Sequence, residues 1–220
     1  MRFALWMVGL SRTFEYCYPS IKQHILDVYS PDVYVCMDGN DARFAELYHP
    51  VEMHIVSPEE NTKAIGDRPA RYKTRPTESN VAGDMSFIYK WAWCYNLMAG
   101  HGQYDVVMLC RPDVRIDKFE FDFSQGIQDK TIYLPKIDAL GNKCDDDGTI
   151  YMGGWGGQLC FGTQETMRIL ALMYDDADKN YNDRQEWHIE RVFRHHGKKY
   201  GLSDKHFDIQ FRIVRDWEVK

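Results

Sequence analysis

The six cysteines of this 220-residue sequence include no CxxC pair, which argues against a zinc site. Cys17, Cys94 and Cys144 are scattered, and Cys36, Cys110 and Cys160 fall in apolar, strand-like runs, where a free thiol packs as a small hydrophobe. Reduced thiols and a reducing, cytoplasmic compartment are the expectation. Positive charge is not in excess either: the net charge is −6, so a broad electrostatic footprint for nucleic acid is excluded. No apolar run approaches the length needed to span a membrane. The segment Met1–Leu10 is too short for a signal peptide, lacks a small-residue cleavage site, and reads as a first buried strand. Repeats and a second domain boundary are absent. The glycine-rich stretch Gly153-Gly154-Trp155-Gly156-Gly157 is followed by no Gly-Lys-Ser/Thr and lacks the strand-to-helix context of a dinucleotide fingerprint, so neither phosphate-loop class applies.

What is present is a chain with 44% hydrophobic residues, enough for one substantial α/β core. Residues 3–8 read as a buried strand. Tyr18, Ile21, Ile25 and Val28 recur at helical spacing within about 14–28, and Ser30-Pro31 stops that helix. Strands follow at 33–36 and 51–56, with a short helix over 43–47 between them. This β-α-β-α-β opening implies a mainly parallel, Rossmann-like central sheet flanked by helices, with ligands beyond the carboxyl ends of the strands. Residues 57–80, with Pro58, Pro69 and Pro76, read as a long functional or disordered loop. A helix then ends at Gly100 and Gly102, and Tyr104–Cys110 is the clearest buried strand. Beyond it, 131–134 reads as a strand, 136–148 as a loop, 163–175 and 183–196 as helices, and 207–214 as a last strand. The whole chain, 1–220, is expected to form a single domain, with 1–110 as a nucleotide-binding half and 111–220 as a sugar and acceptor half.

Several residues in this frame suit chemistry. Arg111-Pro112-Asp113 follows the best strand. Pro112 removes a ladder donor, so Asp113 is expected to project into the cleft, either as a turn cap or as a ligand of a hard divalent cation. Such a cation on a diphosphate needs only one or two protein carboxylates. Arg12, at the end of the first strand, suits a diphosphate or base, because a cation at a helix start opposes the dipole unless an anion is near. Asp38 serves a ribose or base, or simply a turn before Gly39. The basic run Lys63, Arg68, Arg71, Lys73 and Arg75 is either solvated or able to close over a leaving diphosphate, with Arg71 and Lys73 foremost. Lys90 either reaches the cleft or snorkels from a buried face. Trp155 is a platform for a sugar ring or a buried strand residue. The acids at 145–147 read as a solvated turn.

Gly9-Leu10-Ser11-Arg12-Thr13-Phe14, together with Tyr104-Asp105-Val106-Val107 and Arg111-Pro112-Asp113, resembles GT-A-like glycosyltransferases. Members occur in bacterial surface-polysaccharide clusters and in large DNA viruses that glycosylate their own capsid. The length and order of elements are similar to the N-terminal domains of chlorella-virus capsid-glycosylating glycosyltransferases. The resemblance implies a GT-A-like fold, a nucleoside diphosphate sugar donor (UDP foremost), and a glycan or glycoprotein acceptor. It also implies Mn²⁺ or Mg²⁺ on Asp113, with a late histidine, His206, as a further ligand. Arg12, Asp38 and Arg111 would hold the donor, and Glu186 or Asp183, near a late helix start, would face the sugar. If the chain is viral, its cytoplasm is the host's. The sequence departs from the family's Asp-x-Asp, since Arg111-Pro112-Asp113 has one acid. A sugar-phosphate nucleotidyltransferase and a non-catalytic carbohydrate-binding module are the rival readings.

Overall fold

An apolar run buried on both faces needs cover on both sides, and the first strand has it. In β1 (Phe3–Leu10), Ala4, Trp6 and Val8 point into one core while Leu5 and Met7 point into the other. The computed structural model describes residues 1–39, 42–74, 80–136 and 156–219. In chain order these form β1, α1 (Phe14–Ile21), a π-turn over Lys22–Leu26, α2 (Asp27–Tyr29), β2 (Asp32–Asp38), α3 (Ala42–Tyr48), β3 (Glu52–Val56), α4 (Pro58–Ile65), α5 (Arg68–Arg71) and α6 (Val81–Ala99). There follow β4 (Val106–Cys110), β5 (Val114–Glu120), β6 (Thr131–Pro135), β7 (Leu159–Gly162), α7 (Gln164–Ala171), α8 (Ala177–Arg184), α9 (Ile189–Lys199) and β8 (Ser203–Ile213).

One sheet runs through both halves of the chain in the order β3-β2-β1-β4-β7-β6-β8-β5. It is parallel from β3 to β4. Beyond β4 the pairings of β7 and of β5 with β8 are antiparallel, and β6 with β8 is parallel again. Helix α6 covers one face through Met85, Ile88, Trp91, Cys94 and Met98, spaced three or four apart. The Trp6 indole N–H donates to Met98 Sδ at 3.4 Å across that contact. On the other face lie Phe14, Cys17, Ile21 and Ile25. Ser30, at φ 45°, then turns the chain into Pro31.

Four expectations need correction. Residues 57–74 are not a loop: Ser57 Oγ accepts from Glu60 N at 3.1 Å, Pro58 takes the first turn, and α4 and α5 follow. The strand β5 has no counterpart in the sequence pattern. The last strand begins at Ser203 rather than 207. The last helix begins at Ile189, so Asp183 lies in the final turn of α8 and Glu186 in the connection. The expected loop at 136–148, the acids at 145–147 and Trp155 lie largely or wholly outside the described residues.

The five described cysteines are buried and unpaired. Burial pushes the Cys17 thiol up to about 12 and raises Cys36, Cys110 and Cys160 as well, so these thiols stay protonated. Among the described residues, no helix is long and apolar enough to cross a membrane.

The packing at Gly162 leaves no room for a side chain. A Cβ added there would lie 2.7 Å from Thr166 Cγ2 and 3.2 Å from Thr131 O. Gly162→Ala is therefore expected to lower unfolding stability by about 1–3 kcal/mol in urea melts; an unchanged midpoint would refute this contact. A second expectation concerns His196, which is fully buried, with Nε2–H donating to Ile169 O at 2.7 Å and Nδ1 accepting from Asn180 Nδ2 at 3.1 Å. Burial lowers its pKa, so the fold prefers the neutral ring. The unfolded chain takes up this proton near pH ~6.5, so stability is full above that pH and falls as pH drops toward the lower folded value. Wild type is expected to lose more stability than His196→Gln between neutral and mildly acid pH; parallel losses would refute the assignment.

Candidate active site

Near the carboxyl end of β1, Gly9 has φ 126°, and a Cβ added there would lie 3.9 Å from Pro112 Cδ. The parallel pairing of β1 with β4 places their carboxyl ends side by side. Arg12 thereby meets the strand-end triplet Arg111-Pro112-Asp113. Arg111 donates from Nε to Asp113 Oδ1 at 2.9 Å and from Nη2 to Oδ2 at 2.7 Å. Arg12 donates to the same Oδ2 from Nε at 3.3 Å and Nη2 at 3.2 Å. The Asp113 side chain is 2% exposed, while Arg12 and Arg111 are 29% and 23% exposed. Asp113 is thus the anion that the Arg12 position required. Its carboxylate sits behind the two guanidiniums rather than projecting into the cleft.

Those guanidiniums line a cleft of about 680 Å³ beyond the carboxyl ends of β1, β2 and β4, bounded by Gly9, Asp38, Asn80, Asp84, Phe87, Lys90, Trp91, Gly157, Gln158, Glu190, Phe193 and Arg215 among others. The volume is that of a small-molecule site. Lys90 does reach the cleft. It is 1% exposed overall, and its ammonium lies 3.0 Å from Asp38 Oδ1 and also donates to Ser86 Oγ. Glu190 stands in the first turn of α9 and Asp84 in the first turn of α6, where Asp84 Oδ2 accepts from Trp187 Nε1 at 3.0 Å. Gly157 holds the opposite wall, since a Cβ there would lie 3.0 Å from the Trp91 ring.

Arg12, Asp38, Lys90 and Arg111 are therefore brought together, and Asp113 lies directly behind them. The other candidates go elsewhere. Arg71 pairs with Asp178 at 2.9 Å and Asp67 at 2.9 Å on the surface. Burial pushes the Asp178 carboxyl up, and the bonds from Tyr72 and Arg71 outweigh it to hold the group low. Lys73 is placed by its main chain, with N donating to Tyr181 Oη at 3.0 Å and O accepting from Trp187 N at 2.8 Å; it is not on the cleft wall. Asp183 pairs with Lys199 at 2.7 Å, and that bond, with His195, lowers its pKa. Glu186 lies 3.6 Å from Arg191 and off the wall. The sequence pattern does not single out Asp84, Glu190 or Arg215. The Asn80 cap, whose Oδ1 accepts from Gly83 N at 3.3 Å, is the signal that Asp84 opens a helix.

The donor set does not fit a divalent cation at Asp113. Both its oxygens are taken by guanidiniums. Each added unit of positive charge at about 4 Å from a guanidinium costs roughly 4 kcal/mol near a protein surface. His206 offers no help: Val214 N donates to Asp113 O at 2.8 Å, and His206 sits eight residues back along β8, about 26 Å away at the rise of a strand. Its Nδ1 lies 3.2 Å from Pro135 O instead. Among the described residues, no group of three or more metal-ligating side chains converges.

No protein-family model matches the sequence, and no curated protein matches it. Solved structures do share its architecture. Mouse xyloside xylosyltransferase 1, in its apo form, aligns over 94% of this chain and 84% of its own, at 10% identity and a TM-score of 0.52. This chain has a GT-A-like fold. The galactosyltransferase LgtC, solved with donor and acceptor sugar analogues, aligns over 91% of this chain and 72% of its own, at 11% identity and a TM-score of 0.46.

The Lys90–Asp38 pair gives an asymmetric test. Asp38→Asn leaves a buried ammonium without its counter-charge and is expected to cost ~2 kcal/mol or more, whereas Lys90→Met leaves only a partly exposed carboxylate and costs less. Denaturant melts of both variants check the order; equal losses would show that the ammonium is not held by Asp38.

Proposed function

We propose that the cleft binds a nucleoside diphosphate sugar and transfers its glycosyl group to a hydroxyl of a glycan. The observation that carries this reading is the division of the cleft wall: cations at the strand ends (Arg12 and Arg111) face acids at two helix starts (Asp84 and Glu190). The GT-A-like fold supports it, and the xylosyltransferase that shares the fold is by its name a sugar transferase. In this reading the diphosphate lies on the guanidiniums, which match its oxygens bidentately. Asp38 accepts from the ribose or base, with Lys90 fixing its carboxylate. UDP is the first donor nucleotide to test.

The chemistry needs two charge movements. The bond between the anomeric carbon and the β-phosphate oxygen breaks, and its electron pair stays on the phosphate. The acceptor oxygen bonds to that carbon and releases its proton. Glu190 replaces Glu186 and Asp183 as the acid facing the sugar, because the helix that presents it starts later than the sequence pattern suggests. Guanidiniums aimed at the leaving diphosphate favour the transition state over the bound donor, since charge grows there as the bond breaks.

The test is release of nucleoside diphosphate from a panel of UDP-, GDP- and dTDP-sugars, with and without glycan acceptors. Glu190→Gln is expected to lower turnover about 100-fold or more, while nucleotide affinity stays near wild type. A panel in which no donor is bound or turned over would overturn the reading.

A further inference from the structure

The disagreement between the cleft and a metal site points to how the phosphates are held. We propose that Arg12 and Arg111, locked onto Asp113, form a metal-independent receptor for the donor's diphosphate; this rests on the nucleotide-sugar reading above. Each guanidinium uses Nε and Nη2 on Asp113, and among the described residues no hydrogen bond engages Nη1 of either. Both side chains line the cleft and are about a quarter exposed, which leaves N–H groups not spent on Asp113 for a ligand there. Asp113 acts as a positioning residue. It holds two like charges side by side and keeps their forks oriented before the anion arrives.

The charge balance favours an anion. At the strand ends, two guanidiniums against one carboxylate leave one net positive charge, and the acids of the same cleft, Asp84 and Glu190, stand at helix starts instead. A nucleoside diphosphate sugar carries one negative charge per phosphorus, so its diphosphate suits the net positive cluster of Arg12, Arg111 and Asp113. Guanidinium forks also suit phosphate oxygens better than a point charge, because two parallel N–H bonds fix orientation. On cleavage the electron pair left on the β-phosphate is met by donors already in place.

The test measures binding of UDP, GDP, CDP, ADP and dTDP, and of the matching monophosphates, by calorimetry. Each is titrated in EDTA and again with saturating Mn²⁺ or Mg²⁺. The expected result is a diphosphate that binds as tightly in EDTA as with metal. Arg12→Gln and Arg111→Gln are each expected to weaken it roughly 10- to 100-fold, while monophosphate affinity changes far less. That ratio separates a phosphate contact from general loss of structure, and Arg12, in a partly exposed turn, tests the point even if Arg111→Gln fails to fold. Asp113→Asn is expected to weaken the diphosphate in EDTA as well, because the forks lose their anchor. Diphosphate binding that appears only with Mn²⁺ or Mg²⁺, or that survives both arginine substitutions, would overturn this proposal and leave the nucleotide-sugar reading standing. Binding of no nucleotide under either condition would overturn both.

Discussion

The buried carboxylate of Asp113 organises the carboxyl edge of the sheet. A charge at 2% exposure must be met by partners, and the partners come from segments far apart in sequence. Arg12 arrives from the turn after β1 and Arg111 from the end of β4. The Asp113 carbonyl accepts from Val214 N at 2.8 Å, and the Val214 carbonyl in turn accepts from Thr13 Oγ1 at 3.1 Å. The same residue therefore closes the end of β8 onto the α1 entrance. Shifting any one of these segments would strand a buried charge, so the relative positions of the two guanidiniums are fixed by the fold itself.

The remaining charges on the cleft follow from helix geometry. Asp84 and Glu190 each lie in the first turn of a helix, where the partial positive charge of the dipole stabilises a carboxylate. Arg12 and Arg111 lie by the strand ends and Asp84 and Glu190 at helix starts, so the two signs of charge come from different parts of the cleft. Lys90 follows a third logic. Its ammonium is tied to Asp38 and Ser86 and enclosed by α6, which makes it an orienting group for Asp38 more than a free cation. A buried ammonium paired with a partly exposed carboxylate is a poor device for stability alone.

Much of this is legible in the sequence. The fully apolar strands β1 and β4 and the three-or-four spacing of α6 leave little choice, because two-sided burial has few alternative patterns. Arg12, Asp38, Lys90 and Arg111 stand out because strand ends and their flanking turns are where such sheets place ligands. The failures are equally physical. In residues 57–74 the prolines read as breakers, although Pro58 behind a Ser57 cap is a helix start. The strand β5 reads VRIDKFE, and its register shifts between Ile116 and Lys118, which erases the alternation that marks a strand. The sequence pattern starts the last helix six residues early, because Asp183 and Glu186 imitate a first turn. That slip alone draws attention to Asp183 and Glu186 and away from Glu190, which stands in the first turn of α9. Arg71 and Lys73 are drawn in by charge density, which does not say which face a helix presents.

The triplet Arg111-Pro112-Asp113 at the end of β4 is the most informative feature of the sequence. Where a GT-A enzyme carries Asp-x-Asp at this strand end, this chain has Arg111-Pro112-Asp113. A guanidinium in place of the first carboxylate changes the local charge by two units. The surviving acid then takes on a different role. With Arg111 and Arg12 both within hydrogen-bond distance, it holds cations already supplied by the chain. In the reading proposed above, this strand-end position serves the phosphate directly, because what a leaving diphosphate needs is positive charge held rigidly at the sheet edge.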